Sequence, residues 1–206
     1  MPSRRLFYST DELVRKFKPS LTSTFDVFIS KSFSGIDDEV VNFSAYEAVL
    51  PGSSFELGQV FGDRQGVTEQ YATKRVYPPV DVSFYVDVEY GVLDFFERWF
   101  KQINDKSDNF RFSYPSGGYK TNVIITKFER EFRESKDRLN SPGTAGTVSE
   151  PSYQARYNLR NAFPSNIISV PVSYGQSDVL RTTITFNYDY YDFEVKKNKT
   201  SFNKEI

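Results

Sequence analysis

The chain has 206 residues; 38% of them are hydrophobic and 17% are aromatic, with 20 Phe and 14 Tyr. One β-rich domain with insertions and a buried core fits this length, and large aromatic side chains favour strands. The formal net charge of −1, from 26 basic and 27 acidic residues, argues against nucleic-acid binding, and the absence of both Cys and His excludes disulfides, thiol nucleophiles, Cys/His zinc sites and His general bases.

The N-terminal residues predict an arm and not a signal peptide or a membrane anchor. Residues 1–17 are charged and contain no apolar signal-peptide core, and no stretch approaches the roughly 20 apolar residues that a spanning helix needs. A short helix beginning near Thr10 and ending at Pro19 is predicted within an arm of residues 1–23. The protein is therefore expected to be soluble.

Two strands separated by a turn are predicted next. Phe25, Val27 and Ile29 alternate with other residues and should share one face of the first strand. Pro51 and Gly52 break the chain after the second strand. The first strand, the turn and the second strand are placed at residues 24–31, 34–38 and 40–46.

Residues 55–76 predict a long, polar β-hairpin. Two weakly alternating halves flank a glycine-containing centre at residues 62–66. An isolated hairpin is marginally stable in water. This hairpin therefore needs support from the main sheet or from a neighbouring molecule.

A strand and the one strong helix of the sequence follow. The strand predicts one buried face, which comprises Val80, Val82, Phe84, Val86 and Val88. In residues 90–104, apolar side chains that include Phe96 and Trp99 recur at helical spacing. This pattern predicts an amphipathic helix packed against the sheet.

The rest of the chain predicts further strands around a polar insertion. The insertion covers residues 129–150, and its charged first part, residues 129–138, is compatible both with a partner-binding helix and with a solvated extension. Ile184, Phe186, Tyr188 and Tyr190 are expected to share one face of the last strand. The remaining strands are placed at residues 122–128, 153–159, 167–172 and 182–193, with a turn at residues 163–166.

These elements predict a mostly-β fold. Two packed antiparallel sheets, as a sandwich or distorted barrel, would be flanked by one α-helix and would carry the long hairpin arm. The domain is expected to cover residues 24–195, preceded by the arm of residues 1–23 and followed by a polar tail of residues 196–206.

No catalytic or metal-binding pattern is found, and no cofactor is expected. The chain contains neither a nucleophile elbow nor a P-loop. Asp37 and Asp38 are interpreted as a solvated turn. The glycines of residues 62–66 lack the Lys-Ser/Thr ending and the following helix of a phosphate loop, so a hairpin tip is predicted there. The sequence thus indicates a non-enzymatic structural subunit.

The order of the elements resembles the tail tube proteins of contractile-tailed, T4-like bacteriophages. A strand, a Leu50-Pro51-Gly52 break and a polar hairpin precede the alternating strand and the helix with Phe96-x-x-Trp99. The sequences Ala-Phe-Pro-Ser-Asn at residues 162–166 and Thr-Phe-Asn-Tyr-Asp-Tyr-Tyr at residues 185–191 carry most of the resemblance. The similarity covers roughly residues 24–193.

The resemblance implies a virion protein that is assembled in the host cytoplasm and forms stacked homohexameric rings. DNA would pass through the lumen transiently and without sequence specificity, and the sheath, baseplate and tape-measure proteins would be the other partners, with no membrane involved. The hairpin would contact a neighbouring subunit through Phe55, Leu57, Val60, Phe61, Arg64, Val67, Tyr71, Lys74 and Arg75. The polar row of the alternating strand would face the lumen or an interface, and Asp81, Ser83 and Asp87 are the candidates for the lumen.

Two features depart from the family pattern. The N-terminal arm and the insertion of residues 129–150 are longer than usual, which keeps open a specialised tube-end protein, either a baseplate tube initiator or a tail terminator. A monomeric carbohydrate-binding β-sandwich is a further alternative, since exposed aromatics could stack on sugars.

Overall fold

A computed structural model provides the fold. It describes residues 20, 22–60, 66–105, 111–115, 118–129, 153–168, 172, 174–175 and 178–197. The predicted N-terminal arm, the insertion of residues 129–150 and the C-terminal tail lie almost entirely outside these residues, as do Phe61 and Arg64 of the hairpin.

The described residues form a mostly-β fold with two helices, and the predicted fold class is confirmed. The helices are α1 (Asp38–Phe43) and α2 (Gly91–Ile103). The strands are β1 (Phe25–Ile29), β2 (Ala45–Ala48), β3 (Ser54–Val60), β4 (Glu69–Val76), β5 (Val80–Tyr85), β6 (Asn104–Asp105), β7 (Arg111–Phe112), β8 (Thr121–Glu129), β9 (Tyr153–Ile167), β10 (Arg181–Asn187) and β11 (Tyr190–Lys197).

The long strand β9 joins the two halves of the main sheet. The strand order is β1-β8-β9-β10-β5-β2, all neighbours are antiparallel, and β11 also pairs with β9. Residues 153–160 of β9 pair with β11, whereas the end of the strand, from Phe163 to Ile167, pairs with β10. Because β10 and β11 are consecutive in the chain, the polypeptide passes from one half of the sheet to the other beside the middle of β9.

The core lies between the main sheet and α2. Phe95, Phe96 and Trp99 of the helix are fully buried, and the Phe96 ring lies 5.2 Å from Phe84 of β5 and 6.1 Å from Phe186 of β10. The indole N–H of Trp99 donates a 2.7 Å hydrogen bond to the backbone carbonyl of Tyr119. The predicted amphipathic helix is therefore confirmed, and its aromatic face packs against the main sheet.

The predicted second strand at residues 40–46 is wrong in its first half. Residues 38–43 form α1, because the carboxylate of Asp37 accepts a 3.0 Å hydrogen bond from the N–H of Glu39 and so caps the helix. The same contact gives Asp37 a structural role in place of the solvated turn expected from the sequence. The strand β2 begins only at Ala45.

The alternating strand ends earlier than predicted. Val80, Val82 and Phe84 are buried as expected, but β5 ends at Tyr85 and Val88 is 95% exposed. The chain turns here, since the N–H of Tyr90 bonds to the carbonyl of Asp87 at 3.1 Å. After this turn the chain enters α2, so β5 does not continue to Val88 as predicted.

The predicted turn at residues 163–166 is also wrong, because these residues continue β9. A proline cannot donate a backbone hydrogen bond, so a sheet tolerates it where the ladder is irregular. Pro164 lies at such a place: the register between β9 and β10 shifts between Thr185 and Phe186, and Phe186 is the partner of Pro164.

The predicted single strand at residues 182–193 is instead two strands, β10 and β11. Ile184, Phe186 and Tyr188 are all buried. Tyr190 lies beyond the break at residues 188–189 and is 46% exposed, so the prediction that it shares one face with these three residues is wrong.

Asp189 fastens the break between β10 and β11. Its carboxylate accepts hydrogen bonds from Asn161 Nδ2 at 2.8 Å and from Lys120 Nζ at 3.1 Å, and Asn161 itself has a left-handed backbone with φ of 55°. The Asn161 bond lowers the pKa of the Asp189 carboxyl below its ordinary value, partial burial opposes this shift, and Lys120 adds to it. The charged form of Asp189 is therefore the form that the fold favours.

Asp189→Asn is expected to destabilise the fold at neutral pH by about 0.5–1 kcal/mol, a small value because the pair is partly exposed. A lowered folded-state pKa gives stability that is present above the unfolded pKa of about 3.9 and is lost as the pH falls through the folded value. Urea unfolding at pH 7 and near pH 3 should therefore show the difference from wild type shrinking in acid. Glu69→Gln controls for removing an exposed carboxylate, and an equal loss at both pH values would contradict this role of Asp189.

Candidate subunit interface and polar face

The β3–β4 hairpin pairs with no other described strand. It forms a two-stranded sheet of its own, from the pair Ser54 and Val76 to the pair Val60 and Glu69. Every residue of these two strands except Gly58 and Val76 is exposed. The hairpin therefore projects from the body and contributes little to the core.

Both faces of the hairpin carry apolar side chains. On one face, Phe55 and Leu57 are 60% and 61% exposed, and Phe55 lies opposite Arg75. The other face presents Tyr71 and Val60, which are 51% and 47% exposed. Contact of such side chains with water is unfavourable, and covering them with another surface gains free energy.

The register of the hairpin changes once along its length. Leu57 pairs with Ala72 whereas Glu56 pairs with Lys74, so Thr73 is an extra residue in β4. The Thr73 hydroxyl donates a 2.9 Å hydrogen bond to the carbonyl of Glu56, which gives this carbonyl a partner at the irregular position. A bulge of this kind increases the local twist of a strand pair.

Gly58 makes room for the Tyr71 ring. A Cβ at position 58 would lie 2.6 Å from Cζ of Tyr71 and 2.9 Å from Cγ2 of Thr73. The tyrosine therefore lies flat across the opposite strand, where any larger residue than glycine would displace it. This packing gives one face of the hairpin a fixed shape.

The base of the hairpin meets a group of tyrosines on the body. We call Tyr77, Tyr157, Tyr188 and Tyr191 the tyrosine cluster. Ring centroids of Tyr77 and Tyr191 are 5.6 Å apart, and those of Tyr157 and Tyr191 are 5.7 Å apart. Burial, with smaller contributions from Tyr191 and Tyr77, raises the pKa of Tyr188 to about 12, so this phenol carries no charge near pH 7.

The outer side of β5 and β10 forms a second surface, which we call the polar face: Asp81, Ser83, Tyr85, Thr183 and Thr185. The Thr185 hydroxyl donates a 2.6 Å hydrogen bond to Asp81, and the hydroxyls of Ser83 and Thr183 lie 2.8 Å apart. These cross-strand pairs hold the side chains in a regular polar row.

One end of the polar face is aromatic. Tyr46 of β2 stacks on Tyr85 with ring centroids 4.4 Å apart. The guanidinium of Arg181 lies 5.5 Å from the first ring and 5.8 Å from the second, and it is 3.8 Å from the carboxylate of Asp178. The positive charge on this face is thus partly neutralised and held against the rings.

The predicted lumen residues do not lie together. Asp81 is exposed on the polar face and Ser83 is buried there, 7% exposed. Asp87 lies at the start of α2, where its carboxylate accepts a 3.3 Å hydrogen bond from the N–H of Val92. Its contacts in the structure are those of a helix-capping residue.

The predicted interface residues are largely brought together by the hairpin. Phe55, Leu57 and Arg75 share one face, and Val60, Tyr71 and Lys74 share the other, while Val67 is 66% exposed in the connecting loop. Sequence reasoning missed the partners of the hairpin base, Ser53 and Tyr191, and the threonines of the polar face. The alternation of Thr183 and Thr185 with buried residues could have indicated that these threonines form a polar row. No local sequence pattern indicated that Tyr191 contacts the hairpin base.

The described residues contain no group of three or more His, Cys, Asp or Glu side chains that could hold a metal ion. Within the same part of the chain, no helix has the length and apolar character needed to cross a membrane.

A family model for phage tail tube proteins matches residues 16–194. The chain belongs to the phage tail tube protein family. Tail tube proteins are structural components of virions and not enzymes, so the prediction of a non-enzymatic structural subunit is confirmed. No curated protein matches the sequence.

Solved structures of contractile injection systems share the fold. A chain of the sheath-tube complex of the PVC extracellular contractile injection system, in its extended state, has a TM-score of 0.54 and 15% identity over 91% of this chain and 99% of that one. The tube terminating cap of the anti-feeding prophage has a TM-score of 0.55 and 16% identity over 86% of this chain and 92% of that one. The anti-feeding prophage baseplate gives a TM-score of 0.51 and 12% identity over 89% and 99%.

Gly58→Ala is expected to displace the Tyr71 ring and to weaken the hairpin by about 1 kcal/mol, since the new methyl group would overlap the ring. Native-state hydrogen exchange of the amides in β3 and β4 measures this change. Gly52→Ala is the control, because a Cβ there meets nothing within 4 Å. Adding Tyr71→Ala should reduce the penalty of Gly58→Ala to the part that arises from the Thr73 contact; an undiminished penalty in the double variant would show that the ring is not its cause.

Proposed function

We propose that this tail tube protein forms homohexameric rings that stack into a tube and conduct DNA during ejection. The observation that carries the proposal is the β3–β4 hairpin, which is exposed on both faces and apolar on both. A neighbouring subunit would bury Phe55, Leu57, Val60 and Tyr71, and that burial would supply the stability which the isolated hairpin lacks.

Ring closure requires two different surfaces that dock on each other around an axis. Three strands, β1, β2 and β11, each have one pairing neighbour in the described sheet. On β1, the N–H of Ile29 donates a 3.0 Å hydrogen bond to the side chain of Asn42, so α1 already covers part of this edge. The longer edge of β11 is available for pairing with the next subunit.

The polar face is proposed as the wall of the lumen. Its Asp81 carboxylate is exposed and accepts a hydrogen bond from Thr185, the hydroxyls of Ser83 and Thr183 are paired, and Arg181 is held against the two stacked rings and near Asp178. A wall with little free positive charge would hold no phosphate contacts and would let DNA slide. Asp87 is left out of the wall because it caps α2.

The sheath, the baseplate and a tape-measure protein are the other proposed partners, with assembly in the host cytoplasm. A tube-end protein, either an initiator or a terminator, is a second candidate function. The length of the segment of residues 130–152 favours it. This segment connects the antiparallel neighbours β8 and β9, for which a two-residue turn would suffice. A tube subunit should form long tubes at high concentration, whereas a tube-end protein should stop at single rings.

Leu57→Asp is expected to raise the concentration needed for ring formation by at least ~100-fold, since leaving a carboxylate unpaired in a buried contact costs about 3 kcal/mol or more. Sedimentation velocity and negative-stain microscopy measure the assembly, and the melting temperature should stay unchanged because Leu57 is exposed in the subunit. Val88→Asp, at another exposed position, is the matched control. Rings that form equally well with Leu57→Asp would exclude the hairpin as the contact.

Cryo-electron microscopy of assembled tubes should place Asp81 and the row of Thr183 and Thr185 on the inner wall. The physical reason is that this row is polar and in register and that the charge of the adjacent Arg181 is partly neutralised, so that few contacts to DNA phosphates would form. A tube in which Asp81 faces the sheath side would overturn the assignment of the lumen without affecting that of the hairpin.

A further inference from the structure

We propose that Arg75 is a positioning residue that fixes the direction of the β3–β4 hairpin relative to the body. The hairpin has its own two-stranded sheet and shares no backbone ladder with the main sheet in the described part of the chain. The hairpin's side-chain contacts to the body that the structure describes converge on this arginine. We call this set of contacts the Arg75 latch.

The latch consists of two hydrogen bonds and two ring contacts. One terminal nitrogen, Nη2, lies 2.8 Å from the hydroxyl of Ser53 and 3.4 Å from that of Tyr191. The guanidinium carbon lies 5.1 Å from the ring centre of Tyr77 and 5.5 Å from that of Tyr191. The Ser53 and Tyr191 oxygens are themselves 3.4 Å apart.

The partners of the latch belong to different parts of the fold. Ser53 precedes β3 and Tyr77 follows β4, so these two mark the ends of the hairpin. Tyr191 lies on β11, which pairs with β9 in the main sheet. Arg75 therefore connects both ends of the hairpin with the body.

The chemistry of the latch requires arginine. The contacts described for Arg75 are to hydroxyls and rings. A guanidinium is planar and can stack on a ring while its edge donates hydrogen bonds. Lysine keeps the charge but has neither the plane nor the fork.

The latch also joins two apolar surfaces. Phe55 lies opposite Arg75 on the same face of the hairpin. On the body side, Tyr191 contacts Tyr157, and the Tyr157 ring lies 4.7 Å from that of Phe193, which is 50% exposed. An intact latch would thus present the hairpin and β11 to one neighbouring subunit as a single surface, a consequence that rests on the proposed function.

A distance measurement in the full chain tests the latch. The protein contains no Cys, so spin labels can be attached at Gln59→Cys on the hairpin and Glu97→Cys on α2, both at exposed positions. Double electron–electron resonance, below the concentration of ring formation, then reports the spread of hairpin directions. The wild-type background should give one narrow distance distribution.

Arg75→Gln should raise the population outside that narrow peak by about tenfold, which corresponds to a contact worth ~1.4 kcal/mol. Arg75→Lys should behave similarly because it loses the planar group that lies against the two rings, and Tyr191→Phe should have a smaller effect because it keeps the ring. Lys74→Gln removes the same charge from the other face of β4 and should leave the peak narrow. A peak as narrow in Arg75→Gln as in wild type would overturn the proposal.

The test separates the latch from the proposed function. Circular dichroism confirms that each variant is folded, and Tyr191→Phe provides a second variant that leaves the hairpin sequence intact. Ring formation is measured at higher concentration on the same Arg75 and Tyr191 variants without the cysteine substitutions and labels, and it should be lost in parallel with the broadening. If wild type forms no rings, the proposed function fails, whereas the distance distributions still show whether Arg75 fixes the direction of the hairpin.

Discussion

The architecture depends on one strand, β9, being long enough to serve both halves of the main sheet. Its first part lies between β8 and β11 and its last part beside β10, so one continuous strand joins the two halves. The aromatic face of α2 packs on the sheet, with Trp99 tied to the carbonyl of Tyr119. Asp189 then fastens the point where the chain leaves one half for the other. A rigid body built in this way can carry an appendage that contributes nothing to its own core.

That appendage is the β3–β4 hairpin. Its exposed apolar side chains would be a liability in a monomer, and in the proposed ring they would form the contact between subunits. The polar face on β5 and β10 is the opposite kind of surface, since its hydroxyls and its carboxylate are already paired with one another. The subunit thus has one surface with exposed apolar side chains and one whose polar groups are already paired, a division that suits the proposed tube with a passage through it.

The sequence predicted what depends on local periodicity and missed what depends on distant pairing. The helix around Phe96 and Trp99, the buried faces of β1 and β5 and the hairpin were predictable because their local residue patterns are distinctive. The short helix α1 was missed since only its cap, Asp37, distinguishes it from a strand. The turn assigned to Pro164 was wrong because the irregular register with β10, which accommodates the proline, is not visible in the sequence. Likewise, the hairpin residues of the candidate interface were found locally, whereas Tyr191, distant in the chain, could not be connected with Arg75.

The length of the hairpin makes its base a mechanical pivot. A seven-residue strand such as β3 extends about 20 Å from its attachment. A rotation of roughly ten degrees at the base would therefore move the tip by ~4 Å, far more than the gap of about 1 Å that apolar contacts tolerate. If the hairpin is the contact between subunits, as proposed, the geometric tolerance of assembly is set at Arg75 and not at the side chains that touch the neighbour. Lever arms of this kind allow one contact at the base to decide whether a distant contact can form.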